Sequence, residues 1–116
     1  MRHMMLIRLD PADAPTIGPD PALTEDMDRL IEEMTKAGVL LDTAGLRPIE
    51  EAVRIRLSDG EVTVLDGPFT ESKEVIGGYC LLQTRSREEA VEWGSRFLKL
   101  HGPAWTMEVE IRQLDE

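Results

Sequence analysis

The sequence predicts an α+β sandwich, with helices over one face of a largely antiparallel sheet. Two patterns and their order predict it. Residues 105–113 alternate apolar and polar cleanly, as a half-buried strand does. Leu23, Met27, Leu30, Ile31, Met34 and Ala37 recur at steps of three and four, which lays one apolar stripe along a helix. Along the chain the elements run strand, helix, hairpin, strand, helix, strand. Two β-α-β halves around a hairpin give that architecture. A second copy of so small a chain can cover the sheet face that the helices leave open.

The opening strand is residues 3–9, short and apolar and ended by Asp10-Pro11. Residues 10–22 carry Pro11, Pro15, Pro19 and Pro21, which exclude a regular element and favour an extended loop, either a connector or a lid. The first helix is residues 24–37, with Thr24 as its cap and Gly38 as its stop. Acids at Glu25, Asp26 and Asp28 suit its positive end, and Lys36 suits the other. Val39-Leu40-Leu41 is a short apolar piece, and residues 42–48 read as a loop.

Residues 52–57 alternate apolar and basic, so one face of that strand is wet. Asp59-Gly60 turns the chain and residues 62–65 return, completing a hairpin. Residues 76–84 form the next strand, where Gly77-Gly78 marks a bulge or a close approach to the backbone. Ser86-Arg87-Glu88-Glu89 is a capping box. It opens a helix with Ala90, Val91, Trp93, Gly94, Phe97 and Leu98 inward, ended by His101-Gly102-Pro103.

One domain fits 116 residues, and 41% hydrophobic with 31% charged residues is ordinary for a globular protein. A net charge of −10 favours solubility and repels phosphate backbones and anionic lipids, so neither direct nucleic-acid binding nor a membrane surface is expected. Apolar runs are far too short for a membrane span, and the N-terminus does not read as a signal peptide. The one cysteine, Cys80, reads as a core hydrophobe in a reducing, cytoplasmic protein. His3 and His101 lie at opposite ends of the chain, so no metal site is expected. No phosphate-cradling glycine loop or nucleophile elbow appears, and no cofactor is expected.

The chemistry concentrates in residues 66–79, a polar segment held between two strands. Asp66 is either a turn residue or an acid-base group. Phe69 plugs the core beneath the loop or lines a pocket. Glu71 and Lys73 pair with each other or with Arg47, or fix an anionic or hydroxylated ligand. Lys73 as a general base would need burial to lower its pKa. The Tyr79 hydroxyl serves a ligand or a backbone carbonyl. Arg47 is a carboxylate fork or is solvated. Arg8 and His3 mark where a cavity could face this segment. Acid-base work by Asp66, Lys73 and Tyr79 is the chemistry the segment could support.

Asp66-Gly67-Pro68-Phe69, Glu71-x-Lys73-Glu74 and Gly77-Gly78-Tyr79 together resemble the DGPF branch of the YCII-related proteins. Met4-Met5-Leu6-Ile7, Ala37-Gly38-Val39-Leu40 and Gly45-Leu46-Arg47-Pro48 extend the resemblance over nearly the whole chain. It implies a ferredoxin-like fold that pairs through its sheet into a dimeric α+β barrel. It also implies a pocket between sheet and helices or near the dimer seam. Related barrels act on small, often aromatic, molecules as isomerases, lyases or oxygenases. Members of the branch also occur beside sigma-factor-like transcription proteins, so a non-catalytic regulatory module with such a partner is the alternative to a small-molecule-binding homodimer. The wider group often carries a histidine on its first helix, in a proposed dyad with an aspartate. This first helix has none, so that dyad does not transfer. Where the family often has an aromatic in its first strand, this chain has His3, which either lines a cavity or frays with the terminus.

Overall fold

The first strand, β1 (Arg2–Leu9), is central because its backbone pairs on both sides. A computed structural model describes residues 1–13, 20–67 and 75–116 of the chain. The remaining strands and α-helices are α1 (Pro21–Lys36), β2 (Leu40–Gly45), β3 (Val53–Ser58), β4 (Glu61–Asp66), β5 (Val75–Gln83), α2 (Arg87–Lys99) and β6 (Met107–Gln113), with single 3-10 turns at Pro11–Asp13, in the proline-rich stretch read as irregular, and at Ile49–Glu51. Two antiparallel sheets result: four strands in the order β2-β5-β1-β6, and the hairpin β3-β4 by itself.

Both helices lie on one face of the larger sheet. Strand periodicity decides which residues meet them. Met5 of β1 and Leu82 of β5 are fully buried, and they join Leu30 and Met34 of α1 and Ala90 and Phe97 of α2 in one core. Met4 and Leu6 point the other way and stay only half-buried, because no element of the described chain lies over that face. Burying a side chain such as Leu82 contributes about 1.5–3 kcal/mol, so this single layer of contacts carries the stability of the body.

The first helix begins earlier than its apolar stripe suggests. Pro21 occupies the first turn, where its missing N–H costs nothing. The Asp20 carboxylate accepts from the Ala22 and Leu23 amides at 3.0 and 3.2 Å. Asp20, not Thr24, is therefore the cap, and the Thr24 hydroxyl donates to the Asp20 carbonyl instead. The helix stops at Gly38, whose φ of +72° only glycine adopts easily. The second helix starts as expected, with the Ser86 hydroxyl accepting from the Glu89 amide at 3.1 Å. Val91 is exposed rather than inward.

Residues 42–45 are strand, not loop. Asp42, Thr43, Ala44 and Gly45 have weak strand preference, but β5 supplies a complete backbone partner and pairing wins over propensity. Gly77 is the bulge residue: Ile7 pairs with Gly78 while Arg8 pairs with Ile76. A Cβ on Gly78 would meet the Ala44 carbonyl oxygen at 2.9 Å, so β2 and β5 approach as closely as they do only over glycine. The last strand starts at Met107; Trp105 precedes it and packs edge-on against His101.

The hairpin falls within one residue of its expected bounds, at Val53–Ser58 and Glu61–Asp66, but it does not have just one wet face. Val53, Ile55, Leu57, Val62 and Val64 are 55%, 69%, 71%, 68% and 60% exposed. It pairs with nothing but itself among the described residues.

Candidate functional site

Between α1 and the sheet lies a cavity of about 430 Å³. The same pattern that builds the core leaves this space. Met27, Leu30 and Met34 recur on the inner side of α1, and Met5, Ile7 and Cys80 face them from the sheet. Gly78 lies on the sheet side, where its missing side chain lets the β2 backbone come close. The lining is almost wholly apolar, with Thr43 and Cys80 as its polar groups. Such a space suits a small apolar molecule that offers one or two polar atoms.

The protons on that polar pair can be placed. The Thr43 hydroxyl lies 2.9 Å from the Tyr79 carbonyl, to which it donates its only hydrogen. Its oxygen also lies 3.2 Å from Cys80 Sγ, so the thiol is the donor of that contact. Burial pushes the Cys80 thiol up from its ordinary 9.0, and Thr43, able to hydrogen-bond the ionised sulfur, opposes that shift. Cys80 is thus a neutral thiol near pH 7, a soft contact and not a nucleophile.

The residues singled out from sequence do not converge on this cavity. Tyr79 lies on the opposite, open face of the sheet, where its hydroxyl donates to Asp42 at 2.9 Å. That hydrogen bond, then the Asp42 charge, raises the Tyr79 pKa above its ordinary 10.0. Tyr79 is therefore a neutral donor near pH 7. Arg8 shares the open face and donates to Glu110 at 2.8 Å, with Glu108 at 3.9 Å. Asp66 is exposed at the end of β4, opposite Val53. Arg47 is solvated and pairs with Glu51 at 3.1 Å, beside a shallow recess of about 340 Å³. Phe69, Glu71 and Lys73 lie outside the described residues, so the proposed pairings of Glu71 and Lys73 do too.

His3 neither frays nor lines the cavity. It is 2% exposed. Its Nδ1 lies 3.2 Å from the Thr84 hydroxyl, which spends its own hydrogen on the Ser86 carbonyl at 2.8 Å. Nδ1 therefore carries the proton, and His3 fastens β1 to the start of α2. Asp42 and Thr43 escaped the sequence reading because they stood in an apparent loop. The alternation signal that finds strands is absent there.

A larger groove of about 820 Å³ runs between the end of α1 and the outer side of α2. It is open to solvent and edged by charged groups, including Glu89, Arg96 and Lys99, so it is the poorer container for a small ligand. Across it Arg96 forks onto both carboxylate oxygens of Glu33, at 3.0 and 2.5 Å. The Arg96 hydrogen bond holds the Glu33 carboxyl below its ordinary 4.5. Among the described residues no group of three or more His, Cys, Asp or Glu is placed to hold a metal ion, and no helix is long and apolar enough to cross a membrane.

The fold and cavity define a small α+β protein with two helices over one face of an antiparallel sheet and a space beneath the first helix. The chain belongs to the YCII-related domain family, whose model matches residues 1–99. It is also similar to the uncharacterized protein R00369 of Rhizobium meliloti (strain 1021), 35% identical over 95 residues, which span 82% of this chain and 75% of that protein. Strand β6 lies beyond the matched family segment, yet it completes the sheet against β1.

Proposed function

We propose that this protein binds a small, mainly apolar organic molecule in the cavity between α1 and the sheet. We place it in the DGPF branch, as a ferredoxin-like sandwich carrying a hairpin insertion, and as a homodimer that pairs through its open sheet faces into an α+β barrel. The carrying observation is the cavity itself: about 430 Å³ of nearly apolar space with one Thr–Cys polar pair at its sheet side. That volume matches a one- or two-ring molecule. Met27, Met34 and Met5 around it are adaptable side chains, suited to an irregular guest.

Binding accounts for this site better than catalysis does. Its thiol is neutral, its hydroxyl is engaged, and the Tyr79 phenol faces away from it as a donor. Asp66, exposed at the end of β4, and Tyr79, on the open face of the sheet, stand apart from the cavity, so acid-base work by either forms no part of this reading.

A thermal-shift screen of indole, naphthol and short aromatic acids tests the reading. A guest that binds only the folded chain raises Tm with concentration. Ile31→Trp, which places a ring in the cavity wall, removes that rise. No rise with any compound of this size, or a rise that survives Ile31→Trp, refutes the site.

A further inference from the structure

We infer that the β3-β4 hairpin is an arm that lies on the open sheet face of a second copy of this chain. The inference rests on the homodimer proposed above and assigns the element that grips the partner. Val53, Ile55 and Leu57 alternate along β3, and register places Val64 opposite Ile55 and Val62 opposite Leu57. All of these share one face, and all are more than half exposed. Arg54, Arg56 and Thr63 occupy the other face. A two-stranded sheet alone is marginal in water, and one with an uncovered apolar face is worse. The arm is built to be covered on one side.

The same chain carries a matching surface. Met4 and Leu6 of β1 and Leu81 of β5 lie together on the open face, with Leu81 directly opposite Met4. Arm and open face in one chain are self-complementary, so a two-fold pairing covers both at once. Surface area agrees with this. The chain exposes 8377 Å², against about 6,300 Å² for a compact monomer of its mass. That excess of roughly 2,000 Å² lies within the ~1,000–2,500 Å² per partner that permanent interfaces remove. The radius of gyration, 16.2 Å, likewise exceeds the ~13 Å of a compact domain of this length. A net charge of −10 argues against nucleic acid or anionic lipid as the occupant.

Sedimentation equilibrium at micromolar concentration tests the arm on three proteins. These are the wild type, Ile55→Asp/Val64→Asp, and Thr63→Asp as a control on the polar face. The wild type and control are expected to be dimers, and the double variant is expected to weaken dimerisation at least about a hundredfold. A monomeric wild type overturns the arm and the sheet pairing together. A dimer unchanged in the double variant overturns the arm alone. Photo-cross-linking with p-benzoylphenylalanine in place of Ile55 keeps the test decisive if the double variant does not fold. Cross-links into residues 1–9 or 75–83 of the second copy support the arm. Cross-links confined to the other hairpin, to the helices or to an unrelated protein overturn it.

Discussion

Cys80 donates its thiol hydrogen to Thr43 across 3.2 Å, and Thr43 passes its own hydrogen to the Tyr79 carbonyl at 2.9 Å. This short chain joins the cavity to the β2-β5 pairing. It fixes the direction of the only thiol, which burial keeps protonated, and orients the only hydroxyl among the polar lining groups.

Cys80 should therefore react slowly. Its raised pKa and burial together predict modification by a thiol reagent at pH 8 at least about tenfold slower in the native chain than in urea. Thr43→Val removes the acceptor of the thiol hydrogen and should cost about 1–3 kcal/mol, read from urea unfolding. Equal thiol rates in the folded and unfolded chains would contradict the placement.

Gly78→Ala should destabilise by about 1–3 kcal/mol, because the new Cβ meets the Ala44 carbonyl oxygen, part of a paired backbone that cannot step aside. Gly94→Ala should cost less. Its Cβ meets movable methyl groups of Val109 and Ile111 at 3.2 and 3.3 Å, and alanine regains about 1 kcal/mol of helix propensity. Urea midpoints of the two variants check the order.

Tyr79 is the only tyrosine, so the rise in absorbance at 295 nm over the pH-independent background of Trp93 and Trp105 reads its ionisation. The transition should lie above pH 10.0 in the wild type and move back toward it in Asp42→Ala. A phenol whose folded pKa is raised contributes stability that is complete below its unfolded value and fades as pH climbs through the folded one. The alkaline loss of stability should accordingly be steeper in the wild type than in Asp42→Ala.

The Glu33 carboxyl is depressed by Arg96, so the sign reverses. Its contribution is present above pH 4.5 and is lost as pH falls through the folded value. Carbon NMR of the Glu33 carboxyl should show the low titration in the wild type and an ordinary one in Arg96→Met.

Helices and alternating strands were legible because burial on one face writes a period into the sequence. Leu30 and Met34 recur along α1, and Val109 and Ile111 along β6. The Gly77-Gly78 pair announced a close approach, and the structure supplies both a bulge and the β2 backbone. Strand β2 was hidden because Asp42 to Gly45 carry no period; the backbone of β5 makes it a strand. The start of α1 was hidden by Pro21, which breaks a helix interior but suits a first turn. The cavity was hidden for a different reason. A stripe of Met27, Leu30 and Met34 reads the same whether it is packed solid or stands over a space. The exposed face of the hairpin was hidden likewise, since alternation tells which side is apolar and not what covers it.

The methionines offer the most direct test of the binding cavity. Met5, Met27 and Met34 line it, while Met1, Met4 and Met107 do not. In methyl-labelled protein titrated with indole, saturable shifts are predicted at Met5, Met27 and Met34, with Met1, Met4 and Met107 left nearly still. Methyl signals that stay fixed, or that drift equally at Met4 and Met34, would contradict a binding site beneath the first helix.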